Sequence, residues 1–219
     1  MKPAYIDIHS HHKIPAPHQG IQNFDAQDLL SDIEFPEVFS LGLHPWNISN
    51  IDIQKALPIL DSLSDNPQLV AIGECGLDRA VSTNFETQKE VFISQLRIAN
   101  KRNKAIVVHC VRAFSDFLAI LKQEKPDIPI IFHAYSGNAD ILQKLIKYNA
   151  YFSCGHDLFD ERSKASRIIN HIPLNKLFLE TDDWNGSIEE IYKIAATKLN
   201  ISLIELRHQI YYTYKSLIL

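Results

Sequence analysis

Cysteine is scarce in this chain. Its three thiols, Cys75, Cys110 and Cys154, are odd in number, widely spaced and free of any Cys-x-x-Cys pair. That pattern excludes a zinc finger and a disulfide framework and points to a reducing compartment, so a cytoplasmic location is expected. Also missing is any run of about 18 apolar residues, and the chain opens on no charged region followed by a long apolar stretch. Neither a membrane span nor a signal peptide is expected. Nor does one charge dominate: 22 Lys and Arg face 26 Asp and Glu, for a net charge of -4 and a pI near 6.2. Without a basic field over the whole surface, a nucleic-acid partner has to be gripped locally or through metal ions. No linker, low-complexity tract or internal repeat divides residues 1–219, which we read as one domain. The sequence does not fix the oligomeric state, and a monomer is the favoured expectation.

What is present is a core. Hydrophobic residues make up 46% of the chain, enough for one large domain. Short apolar, β-branched runs alternate with longer segments of helical periodicity, the pattern of repeated βα units. Eight such runs can be counted: Ala4–His9, Gly20–Phe24, Val38–Leu43, Leu69–Glu74, Ala105–His109, Pro129–His133, Ala150–Gly155 and Lys176–Thr181. The second is short and partly polar. Helices are expected from Ser49 or Asn50 to Leu63, and over Phe85–Arg102, Phe114–Gln123, Ala139–Tyr148, Arg162–His171, Ile188–Leu199 and Leu203–Ile218. The last opens on the capping box Ser202-Leu203-Ile204-Glu205. Residues 25–36 leave room for one small helix between the second and third runs. The architecture read from this is an α/β fold, a (β/α)8 TIM-type barrel with the C-terminal helix packed on its outside. A doubly wound open sheet is the competing architecture.

The candidate chemistry lies at the ends of these runs. His9 and His11, separated by one residue on an extended segment, point the same way. Glu74 closes the fourth run, His109 the fifth and His133 the sixth, while Asp182 stands just beyond the eighth. In a parallel barrel these ends open on one face, so residues distant in sequence converge there. Any one of them could be a buried, hydrogen-bonded polar group, but six coinciding at strand ends is hard to explain that way. Four imidazoles and two carboxylates can hold two divalent ions, with one carboxylate shared and a water activated between them. Zinc, manganese and magnesium all suit nitrogen and oxygen donors, zinc slightly better.

Six segments, in order, are Asp7-Ile8-His9-Ser10-His11, Gly42-Leu43-His44-Pro45-Trp46, Gly73-Glu74-Cys75-Gly76-Leu77-Asp78, His109-Cys110-Val111-Arg112-Ala113, Phe132-His133-Ala134-Tyr135-Ser136-Gly137 and Glu180-Thr181-Asp182. Together they resemble the TatD-type metal-dependent hydrolases, the TatD DNase family of amidohydrolase-like barrels. The resemblance implies that His9, His11 and Asp182 bind one metal, that Glu74 bridges to a second, and that His109 and His133 complete the second site. It implies catalytic roles for Asp182 and Glu74, with Asp182 orienting or deprotonating the attacking water. The implied activity is metal-dependent phosphodiester hydrolysis, typically 3′-to-5′ on DNA. The chain looks like a short form. After Asp182 the family usually carries a proline and a long loop with Arg and Asn-Pro elements, whereas here Asp183-Trp184-Asn185-Gly186-Ser187 leads almost at once into a helix. The segment between His12 and Val38 is also compressed.

Other residues carry two readings each. Arg112, three residues past His109, can pair with a substrate phosphate or with a neighbouring carboxylate. His44 and Trp46 can contact a sugar and stack on a base, or pack against the mouth of the barrel. Tyr135 can offer a hydroxyl to a phosphate, or belong to a tight turn at Gly137. Asp78 is expected to orient a ligand histidine or cap the next helix. His12, turned away from the pair before it, is expected to play a supporting part. The leading function is hydrolysis of phosphodiesters at DNA 3′ ends. The alternative is the same site acting on a small amide, ester or phosphoester, and the lesser one is a non-catalytic metal-binding barrel, disfavoured because all six donors are kept. A PHP-type phosphoesterase, which needs ligands for a third metal, is a further rival.

Overall fold

A computed structural model describes residues 3–26 and 35–218. Its eight strands are β1 (Ile6–Ser10), β2 (Gln19–Asp25), β3 (Phe39–Gly42), β4 (Leu69–Asp78), β5 (Ala105–Val111), β6 (Ile130–Phe132), β7 (Ala150–Cys154) and β8 (Leu177–Leu179). They form one sheet in chain order, and every neighbouring pair is parallel. Closure comes past the last strand. Ser10 bridges Asp182, with the His11 amide donating to the Asp182 carbonyl at 2.9 Å and the Asp182 amide donating to that of His9 at 3.0 Å. A doubly wound sheet would reverse its strand order and leave two open edges. The sequential order and the β1–Asp182 contact exclude it.

The helices α1 (Ile53–Leu63), α2 (Phe85–Arg102), α3 (Phe114–Glu124), α4 (Ala139–Leu145), α5 (Lys164–Ile168), α6 (Ile188–Leu199) and α7 (Leu203–Ile218) connect or follow the strands. α2 starts where the Asn84 side chain accepts from the Thr87 amide, and α6 starts on a complete capping box of Ser187 and Glu190. At the start of α7 the Ser202 hydroxyl accepts from the Glu205 amide, and the helix packs outside the barrel against β1 and α6. Three expected helices are shorter than their periodicity suggested. The first begins at Ile53, because Ile51 is extended and separates it from a 3-10 turn at Ile48–Asn50. α4 and α5 each tighten into a 3-10 turn at their ends, over Ile146–Tyr148 and Ile169–His171. The small helix expected within residues 25–36 falls largely on positions outside the described residues.

Apart from β2, where only three of seven residues are buried, the strands are buried almost throughout, as parallel strands covered on both faces must be. β4 and β5 run past their expected ends at Glu74 and His109, reaching Asp78 and Val111. Glycine makes this pairing possible. A Cβ on Gly73, at φ +139°, would stand 2.4 Å from the Val107 carbonyl oxygen, and one on Gly76 would stand 2.0 Å from that of His109. The β4–β5 register shifts between Ile72 and Cys75, an irregularity that re-aims Glu74.

α2 also reaches inward with polar groups. Gln95, fully buried, accepts from the Leu43 amide at 2.8 Å and donates to its carbonyl at 3.1 Å. Gln88 does the same for Asp78, at 2.7 and 3.0 Å. Gln88 clamps the last residue of β4 and Gln95 the residue just past β3, each where the chain delivers a group to the barrel mouth. Gln95→Leu keeps the volume but strands both Leu43 groups away from water, so it should lower unfolding free energy by about 3 kcal/mol. A urea titration reads this directly, and an unchanged midpoint would mean that the clamp contributes nothing.

Candidate metal centre

Every proposed donor reaches one end of the barrel. His9 lies on β1 and His11 just past it, Glu74 within β4, His109 within β5, His133 immediately after β6, and Asp182 three residues past the end of β8. Four of them form a first cluster. His9, His11, Glu74 and Asp182 offer donor atoms that all lie within 4.8 Å of one another. The His9 and His11 Nε2 atoms stand 3.3 and 3.4 Å from Glu74 Oε2, and 3.5 and 3.4 Å from Asp182 Oδ1. A second cluster comprises His44, Glu74 and His109. Here His109 Nδ1 lies 2.8 Å and His44 Nε2 3.1 Å from Glu74 Oε1, and His133 Nε2 approaches the same oxygen at 2.7 Å. Glu74 is common to both groups.

The donor set suits a cation. Buried His9 makes no well-aligned hydrogen bond among the described residues: its Nε2 only faces Glu74 and Asp182, at 3.3 and 3.5 Å, and its Nδ1 is left without a partner, an expensive arrangement for a core group unless a cation occupies the Nε2 lone pair. The four histidine–carboxylate separations in the first cluster, 3.3 to 3.5 Å, bring nitrogen and oxygen donors close enough to share one cation. Two carboxylates supply the negative charge that divalent ions require, and the imidazoles would bind on giving up their protons. Burial raises the Glu74 carboxyl, but His133, His109 and His11 outweigh it and hold the group well below the usual carboxylate range. Contacts to Asp182 and then Glu74 lift His11 to about 10, and for His9 the same two partners overcome the opposing effect of burial. Asp182 is depressed by His11 and His9 despite its burial.

A shell of buried polar residues orients the donors. The Asn23 side-chain oxygen accepts from the Glu74 amide at 2.6 Å and from the Ser40 hydroxyl at 2.9 Å. Asp78 Oδ2 lies 3.2 Å from His109 Nε2, leaving Nδ1 to face Glu74. Glu180, fully buried, accepts from the Ala134 amide and the Ser153 hydroxyl and lies 3.7 Å from His133 Nδ1. Asp7 accepts from the Thr181 amide and hydroxyl, just before Asp182 turns inward at φ 56°.

Several weaker candidates sit differently from expectation. His44, read as a substrate contact, lies against Glu74 among the donors. Trp46 gives its indole N–H to Asp78 Oδ2 at 2.7 Å while its ring stays 55% exposed at the mouth. Tyr135 corrects its expected substrate role: its ring is buried among Phe114, Phe132 and Phe152, and its hydroxyl donates to the Asn138 carbonyl. A Cβ on Gly137 would stand 2.3 Å from that hydroxyl, so glycine there is what lets the ring tuck in, while the turn itself falls at His133–Ala134. Asp78 does not cap a helix, since Asn84 does so. His12 is exposed, with Nε2 3.1 Å from the Asp183 carbonyl oxygen, and Arg112 is exposed with φ 54°. Trp46→Phe should leave the fold intact and weaken divalent-ion binding about tenfold by loosening Asp78 behind His109. Calorimetric titration with manganese measures it.

Closed parallel barrel, His/carboxylate clusters on its C-terminal rim: this is the class of metal-centre (β/α)8 barrels. The comparisons name the branch. The family model described as TatD related DNase matches residues 19–199, and the chain belongs to that family. The match begins after His9 and His11, which the fold itself brings to the centre. An uncharacterized metal-dependent hydrolase, YabD of Bacillus subtilis, is 32% identical over 161 residues, covering 72% of this chain and 62% of that protein. The 3′-5′ ssDNA/RNA exonuclease TatD of Escherichia coli K12 is 32% identical over 147 residues, or 64% of this chain and 55% of that one. The chain thus spans about three fifths of the curated relatives it matches. The crystal structure of the Escherichia coli TatD homologue YjjV superposes with a TM-score of 0.86 at 19% identity, over 100% of this chain and 99% of that one. No helix among the described residues is long and apolar enough to cross a membrane.

Proposed function

We propose that this chain is a two-metal phosphodiester hydrolase acting at the 3′ end of a DNA strand. The observation that carries the proposal is the sharing of Glu74 between two donor clusters, one with His9, His11 and Asp182, the other with His44, His109 and His133. Divalent ions held there supply Lewis acidity at phosphoryl oxygens and acidify a water. The remaining work falls to the chain. Glu74 stays ionised and fixes the spacing between clusters. Asp182, with a quarter of its side chain open to solvent, accepts the proton of the attacking water at its carboxylate. Asp78 keeps His109 in the tautomer that presents a lone pair inward, and the buried Glu180 carboxylate faces His133 Nδ1 at 3.7 Å. The curated exonuclease relatives support this choice of bond.

The short connection Asp183–Ser187 before α6 favours one second reading, a small amide, ester or phosphoester in an open mouth. Digestion of 3′-labelled single- and double-stranded DNA with magnesium, manganese and zinc separates the two. Metal-dependent loss of label, absent in Glu74→Ala and Asp182→Asn, is the expected result. A wild type that binds about two ions per chain yet leaves DNA intact would sink the nuclease reading and leave the small-substrate one.

A further inference from the structure

Beside the metal centre lies a cavity of about 490 Å³ that none of the roles above explains. It opens between the turns after β5 and β6 and the helix α5. Arg112, three residues past His109, forms one side, and Lys164, Arg167 and His171 form the other. All four are exposed, whereas Phe114 and Ile141 below them are partly buried and apolar. Among the described residues no carboxylate lines the cavity, although the chain as a whole is acidic. The arginines make the point more sharply. Of seven in the chain, five are held by a carboxylate or a backbone carbonyl. The two without such a partner among the described residues, Arg112 and Arg167, both face this cavity.

Unpaired guanidinium groups over an apolar floor match one ligand chemistry well: an anion attached to a flat aromatic body. Neutral amides or esters would gain nothing from the cations. We propose that this cavity is a nucleotide subsite, receiving the phosphate of a single-strand nucleotide next to the scissile one against Arg112, Arg167 and Lys164. Its base lies over Phe114 and Ile141. The inference rests on the phosphodiester reading above and sharpens it, because it makes a strand with more than one phosphate the preferred substrate over a small diester. It also explains how an acidic protein holds a polyanion: the grip is local.

The test is equilibrium binding of a 5′-fluorescein, phosphorothioate-linked ten-nucleotide thymidine strand to the metal-loaded full chain, followed by anisotropy. Wild type is compared with the double variant Lys164→Gln/Arg167→Gln, whose positions are exposed and outside the metal centre. We expect the variant to bind about tenfold more weakly and its log–log salt slope to flatten by about one. A strand of the same length without bases should also lose about tenfold on wild type. Hydrolysis of bis(p-nitrophenyl) phosphate, which carries one phosphate, should be the same in both proteins. Equal strand affinity and equal salt slope in the two proteins would overturn the subsite, and so would equal binding of an uncharged methylphosphonate strand. If the small diester is still cut in that case, the subsite falls alone. If cation-dependent strand binding is seen but neither substrate is ever cut, the subsite stands and the hydrolase reading falls.

Discussion

Glu74→Ala should cost at least about a thousandfold in metal-dependent turnover and empty both donor clusters at once. The reason is geometric. Five imidazoles converge on this one carboxylate, with His109, His133 and His44 at Oε1 and His9 and His11 at Oε2. Truncation removes the donor common to both clusters and leaves buried nitrogens facing one another without an anion between them. Metal content after dialysis should fall toward zero, and the thermal midpoint should lose its dependence on added zinc or manganese, since only the native state offers the site. Glu74→Gln isolates charge from shape. It keeps the side-chain volume and the Asn23 contact to the backbone amide, so it should fold like wild type while binding metal far more weakly. Elemental analysis and a thermal melt with and without EDTA decide the matter. Wild-type metal content in Glu74→Ala would remove Glu74 from the centre altogether.

How much of this could be read from the sequence follows from which physical signals are periodic. Eight apolar runs and their order were legible because buried parallel strands must be nearly continuous in hydrophobic residues. The convergence of the six candidate donors was legible because they fall at run ends, and a barrel collects run ends on one face. The supporting groups were not. Gln88 and Gln95 sit on a helix whose apolar stripe accounts for its packing, and a glutamine aimed at the backbone of another element has no spacing that announces it. Asn23 lies in the least apolar run, yet it holds the Glu74 amide. His44 was visible in Gly42-Leu43-His44-Pro45-Trp46, but only the strand's position shows that its ring meets Glu74 rather than solvent. Tyr135 failed in the opposite direction: its hydroxyl suggested a ligand contact, while its ring was needed to fill the space among Phe114, Phe132 and Phe152. The extension of β4 to Asp78 depends on how closely Gly76 approaches His109, a contact between segments that no local pattern encodes.

Asp182→Asn should lower turnover by about a thousandfold while leaving the fold and part of the metal content in place. The backbone at this position is left-handed, φ 56°, a conformation that asparagine tolerates better than most side chains. The bridge to Ser10 and the bonds to the His9 carbonyl and His11 amide use only main-chain atoms, so barrel closure survives the substitution. What changes is one charge. The amide cannot accept the proton of the attacking water, and it donates where His9 and His11 need an acceptor or a shared cation. The cluster of His44, Glu74, His109 and His133 lacks Asp182 and keeps its full donor set. Metal stoichiometry should therefore fall by about one ion per chain, and strand binding at the arginine-lined cavity should persist. Asp182→Ala provides the contrast, losing the same charge and adding strain at a left-handed position, so it should melt lower than Asp182→Asn. Equal loss of both ions in Asp182→Asn would mean that the two clusters are one cooperative site, with Glu74 unable to hold a cation from one side alone.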